Sequence, residues 1–146
     1  MSTDRTFVER NRAATDRLRT LAATHTDAAL QQPVGAHWTA AVALVHLAFW
    51  DRRVLALLDA ADAAGEVVEM PIDLAVNDIS LPLWAAIPPR AAAELAIASA
   101  ETLDRRLEEL PTVRLEQLRA RNEHWIDRSL HRHPHLDEIE AALQRL

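Results

Sequence analysis

Ala41–Trp50, AVALVHLAFW, is apolar at every position except His46. A helix that is apolar round its whole circumference belongs in the middle of a core, not on its flank. Working outward, Trp38-Thr39 opens this helix, and Thr39 is suited to cap it because its hydroxyl accepts an otherwise unpaired backbone N–H. The helix fades through Asp59-Ala60-Ala61-Asp62 towards Gly65. Upstream, Phe7, Ala14, Leu18 and Leu21 form one stripe, which predicts a first helix over about Asp4–Ala23. Thr24 to Gly35 reads as an irregular connection.

Downstream lies a long connection, GEVVEMPIDLAVNDISLPLWAAIPP (Gly65–Pro89), broken by prolines, with Asn77-Asp78 as a turn or short cap. A connection of this length is usually functional or carries its own short helix. Ala75–Ile79 or Leu81–Ile87 would supply one. Pro89 stands at the first position of a third helix, Arg90 to about Leu110, with Ala92, Ala96, Ser99, Leu103, Leu107 and Leu110 inward and Pro111 ending it. Arg114–Arg121 reads as an exposed face. The last helix spans at least Leu136–Leu146, with Leu136, Ile139, Ala142, Leu143 and Leu146 as its apolar side. The expected fold is all-α, a four-helix bundle with a long crossover connection between the second and third helices, in a single domain over residues 1–146.

Composition narrows the chemistry. The chain has 146 residues, 49% hydrophobic and 26% charged, enough to bury a core without a metal staple. It has no Cys, which rules out disulfides and a thiol nucleophile of its own. Lys and Tyr are also absent, which excludes a Schiff-base lysine and a tyrosine acid. The net charge of -6 argues against a nucleic-acid partner. Asp4, Arg5, Glu9, Arg10 and Arg12 leave no signal-peptide pattern, and Asp51, Arg52 and Arg53 cut the apolar stretch too short to span a bilayer. No membrane association and a cytoplasmic location are therefore expected. No Gly-rich phosphate loop, G-x-S-x-G or H-E-x-x-H occurs.

The histidines remain. His46 sits on a helix face that must be buried, and a buried ring nitrogen needs a partner. A lone His there would simply bond a backbone carbonyl. His131 and His135 are spaced to share one helix face, and neutral imidazole suits zinc and related metals. One His from one helix and a pair from another would leave coordination positions open, as catalytic metal sites do. Pro134 complicates the pair. Lacking an N–H, it predicts a helix start no earlier than about His131 as cap, with His133 as the fallback ligand. His25, His37 and His124 have no such spacing and are expected on the surface or in loops. Glu138, one turn beyond His135, is expected as a solvated flank residue. Trp38, Trp84 and Trp125 are expected in packing roles, whereas Trp50, one turn from His46, is placed to wall a pocket.

On these residues the chain resembles the DinB-like superfamily of metal-binding four-helix bundles. That group includes bacillithiol and mycothiol S-transferases and the N-terminal domain of maleylpyruvate isomerases. The resemblance rests on Trp38-Thr39, on His46 within VALVHLAFWDRRV, and on HRHPHLDEIEAAL, which is similar to the pattern H-x-x-x-H-L-x-x-I. It implies His46, His131 and His135 as ligands of a divalent metal, zinc or nickel. It also implies a low-molecular-weight thiol as cosubstrate, transferred to a small-molecule electrophile, and a homodimer as the form in which related bundles often occur. The alternatives are a metal-dependent hydrolase and a non-catalytic metal or small-ligand binding protein of stress response. The 146 residues hold no counterpart of the further C-terminal domain of maleylpyruvate isomerases.

Overall fold

The computed structural model describes residues 3–146. The first helix, α1 (Phe7–Thr24), begins later than its apolar stripe suggests. The Asp4 carboxylate accepts from the Thr6 N–H at 2.8 Å and from the Thr6 hydroxyl at 2.7 Å. Such a local turn competes with the helix for the backbone. The next connection is more ordered than its composition implies. Leu30 is fully buried, and β1 (Pro33–Val34) pairs antiparallel with β2 (Trp38–Thr39). Gly35 takes φ 68° in the hairpin between them, a conformation glycine adopts without steric cost.

Thr39 caps α2 (Ala40–Ala64) as its chemistry predicts, its hydroxyl accepting from Val42 N–H at 3.1 Å. Gly65, at φ 78°, ends the helix and donates its N–H to Ala61 C=O at 2.8 Å. Both candidate segments of the crossover become helical, as α3 (Val76–Ile79) and α4 (Leu81–Ala85). Trp84 is buried and anchors the crossover to the core. The next long helix, α5 (Pro89–Glu108), buries the apolar stripe read from its sequence. Residues 114–121 correct the reading of an exposed face. They belong to α6 (Thr112–Arg121), which buries Leu115 and Leu118 against Phe7, Val54 and Leu103.

The last helix, α7 (Ser129–Leu143), begins earlier than Pro134 appeared to permit. Side chains hold its first turn in place. Asn11 Oδ1 accepts from the N–H groups of Arg128 and Ser129 at 2.8 and 3.1 Å, and Asp127 Oδ1 accepts from the Ser129 N–H at 3.2 Å. Pro134 then falls within the helix body, where it forfeits one backbone bond. His131 is thus in the helix, not at its cap. Leu146 lies beyond the helix end and is exposed, in contrast to its expected inward position.

The protein is all-α apart from its two-stranded hairpin. The long helix α2 packs against α5 and α7, and α1 against the same two. Two apolar clusters fill the interior. One joins Leu18, Leu44, Leu47, Ala96, Leu136 and Ile139, and the other joins Phe7, Val54, Leu58, Leu103, Leu107 and Leu115. Each long helix also buries polar residues that belong to neither cluster. Among them are Asn11 and Thr15 on α1, Asp51 on α2, Asp104 on α5 and Arg132 on α7. No helix among the described residues is long and apolar enough to cross a membrane.

Candidate metal centre

The three histidines singled out in the sequence meet. His46 Nε2 lies 3.2 Å from His131 Nε2 and 3.2 Å from His135 Nε2, and one ring nitrogen from each falls within 4.8 Å of the others. The helices explain how. His131 and His135 are one turn apart on α7, and α2 carries His46 towards the same face. Zinc–imidazole bonds of about 2.0–2.1 Å in a tetrahedral site place ligand nitrogens about 3.3 Å apart, close to the spacing seen here. A hydrogen bond can join two of these nitrogens but not all three. A cation held by three lone pairs satisfies the whole set, so this cluster could hold a metal ion.

The protonation pattern at His46 follows from its neighbours. Asn77 Oδ1 is 3.0 Å from Trp50 Nε1 and 3.2 Å from His46 Nδ1. An indole N–H can only donate, so the shared amide atom is the acceptor oxygen. His46 therefore carries its proton on Nδ1, which leaves Nε2 bare and directed at the other two rings. At His135, the buried Nδ1 has no hydrogen-bond partner, and Glu138 Oε2 stands 3.9 Å away. That carboxylate is exposed and makes no hydrogen bond to the ring, in keeping with a solvated flank residue.

Electrostatics keep the rings neutral, the form that binds metal. Burial, then the charge of His135, lowers His46 to about 4. Burial, then the Arg128 guanidinium, lowers His131 to about 2. Burial also lowers His135, against the opposing pull of Glu138. In the unfolded chain these groups titrate near 6.5. The unfolded state therefore takes up protons that the folded state refuses as pH falls from about 6.5 to 4, and stability falls with it. For His46 alone the loss is on the order of 3 kcal/mol. Urea midpoints of metal-free protein should drop across this window, and a flat profile would contradict the burial of these rings.

Trp50 walls the site as its spacing predicts, its ring centroid 6.3 Å from that of His46. Trp38 at 4.7 Å and Trp84 at 6.0 Å from His46 do so too, where only packing was expected of them. His133 is not brought to the cluster. Its Nδ1 lies 3.0 Å from Arg17 Nη1 on α1, so the fallback ligand is set aside. His37 and His124 are exposed and His25 is partly so. His124 nevertheless helps to line an open cavity of about 220 Å³ beside His46 and His131, with Trp50, Leu74, Asn77 and Arg128.

Behind the site is a network that the sequence did not announce. Asp51 Oδ1 accepts from Arg128 Nε at 2.9 Å, and Asp51 Oδ2 accepts from Arg132 Nε at 3.1 Å. Arg132 Nη1 donates to Asp104 Oδ1 at 2.8 Å and to the Thr15 hydroxyl at 3.1 Å. All four charged residues are buried. Arg128 and Arg132 flank His131, so the network fixes the turn of α7 that presents this histidine.

Asn77 was read as a turn residue. Its place in the site is invisible to spacing, because the crossover brings it to His46 from 31 residues away. Residues that orient a ligating His typically change metal affinity 10–100-fold when removed. Asn77→Ala is therefore expected to weaken zinc binding by about that factor while leaving the helical circular dichroism signal intact. Unchanged affinity by competition with a chelator would show that His46 needs no such partner. The chain matches no family model, no curated protein and no solved structure.

Proposed function

We propose that this chain is a metal-dependent enzyme built as a DinB-like four-helix bundle, with α3 and α4 in its long crossover. Its activity is thiol-dependent S-transfer or isomerisation, with zinc or nickel held by His46, His131 and His135. The observation that carries this reading is the convergence of three neutral imidazole nitrogens beside an open cavity. A structural site is closed by four protein ligands, whereas three leave a position for a substrate. A divalent ion there supplies Lewis acidity and lowers the pKa of a thiol or water that it binds. The protein has no cysteine of its own, so the thiol is a small molecule.

The chain's own groups do the rest. Asn77 holds the His46 proton on Nδ1, and the indoles of Trp38 and Trp84 keep bulk water from the inner side of the rings. Asp51 holds Arg128 where α7 enters the site. The accessible cavity favours an enzyme over a closed metal store.

The test is an S-transfer assay that pairs bacterial low-molecular-weight thiols with an electrophile, a chlorinated nitroarene or maleylpyruvate, with and without added metal. The expected result is a rate that needs both thiol and metal, is lost in His131→Ala and His135→Ala, and survives in His133→Ala. Ester hydrolysis without thiol would favour the hydrolase. The absence of any metal-dependent rate would favour the non-catalytic binding protein.

A further inference from the structure

We propose that the outward face of the crossover between α2 and α5 docks a helix of a partner protein, one that carries an apolar stripe flanked by arginine or lysine.

Helical periodicity builds the face. α3 and α4 abut at Ser80, whose own backbone is helical at φ -82° and ψ -12°. Ile79 N–H donates to Ala75 C=O and Trp84 N–H to Ser80 C=O, both at 2.9 Å, so the two pieces run on as one ridge. Asn77 and Trp84, two turns apart, point inward: the first bonds His46 and Trp50, and the second is buried. The opposite side carries Ala75, Ile79, Pro82, Leu83 and Ala86, all of them apolar and exposed. Ile79 is 75% exposed and Leu83 72%, and they stand one turn apart. A helix on a protein surface ordinarily turns its polar side to water. This one turns its Asn77 inward and its apolar side to solvent. Ile72 and Leu74, just upstream, are exposed as well. Apolar side chains gathered in this way, not scattered singly, mark an interaction surface.

Charge selects the occupant. The crossover carries Glu66, Glu69, Asp73 and Asp78, all exposed, and the chain has no Arg, Lys or His from Val54 to Pro89. Glu69 pairs with Arg121, whereas Asp78, which flanks the apolar side of the ridge, forms no salt bridge among the described residues. Such a rim attracts cationic side chains and repels an anionic membrane. A second copy of the chain has no cationic face to offer. Most of its arginines are held in ion pairs or bond backbone carbonyls. Arg52, Arg105 and Arg145 are exposed, but they stand on α2, on α5 and beyond α7. A narrow ridge of side chains one turn apart is the shape against which a single helix packs.

The test measures binding of synthetic helices to the untagged full chain by fluorescence anisotropy at low salt. The probe is a labelled peptide of leucine and lysine, about five helical turns long, with the leucines in one stripe. One control replaces lysine by glutamate, and the other keeps the composition but scrambles the stripe. The striped lysine peptide should bind at least about tenfold more tightly than either control. Ile79→Gln combined with Leu83→Gln, at exposed positions whose change leaves the circular dichroism signal intact, should weaken it about tenfold. Asp78→Arg should weaken it too, by an amount that shrinks with added salt. Equal binding of either control, or unchanged affinity in the double variant, would overturn the proposal. Self-association of the parent chain that the double variant abolishes would also overturn it, by giving this face to a second copy.

Discussion

Alanine in place of His46 will strip the protein of its metal, with affinity falling by more than the 10–100-fold typical of a lost orienting partner. Two observations set that expectation. His46 Nε2 is the atom that both other Nε2 atoms approach to 3.2 Å, so its removal leaves a pair in place of a triad. It is also the one member of the cluster carried by α2, and the apolar residues around it in the core offer no replacement donor. His133→Ala serves as the control, because that ring bonds Arg17 on the far side of the helix. Metal-to-protein ratios after dialysis measure the effect. Full occupancy in His46→Ala would remove the site.

The second large effect is on stability. Arg132→Ala is expected to cost about 3–5 kcal/mol, the usual penalty for breaking a buried ion pair by removing one partner. Arg132 is 1% exposed, and without it Asp104 loses its guanidinium and Asp51 keeps only Arg128. A cost of that size is a large fraction of a domain's total stability of about 5–15 kcal/mol. The urea midpoint is the readout. Should the variant fail to fold, Asp104→Asn keeps the shape, removes one charge, and should show a smaller shift in the same direction. A shift below about 1 kcal/mol in both would place these charges in contact with solvent, contrary to their burial.

How much of this was legible follows from what each element depends on. The three clustered histidines were readable because their signals are local. A histidine in an otherwise apolar helix and a pair one turn apart each reduce to helical periodicity. The cap at Thr39 and the stop at Gly65 were readable for the same reason. The start of α7 was not. Pro134 is a local signal against the helix, and it was overruled by Asn11, which reaches the first turn from α1 across 117 residues of sequence.

Asp51, Arg128 and Arg132 show the same limit. In sequence Asp51 interrupts an apolar run and Arg128 and Arg132 stand among polar residues, and only the packing of the helices turns them into a mutually neutralised interior. Asn77 and Trp38 joined the site for a reason no periodicity carries, namely where a crossover and a hairpin happen to land. The α6 stripe was missed because Leu115 and Leu118 lie among arginines, which mark a surface in composition although one side of the helix is buried.

Zinc-edge X-ray absorption on protein prepared without a histidine tag tests the central claim most directly. The account predicts one bound divalent ion per chain, with three imidazole nitrogens at about 2.0–2.1 Å and a remaining light-atom position that changes when a small thiol is added. Stoichiometric metal with fewer than three imidazoles, or protein that takes up none, would contradict it.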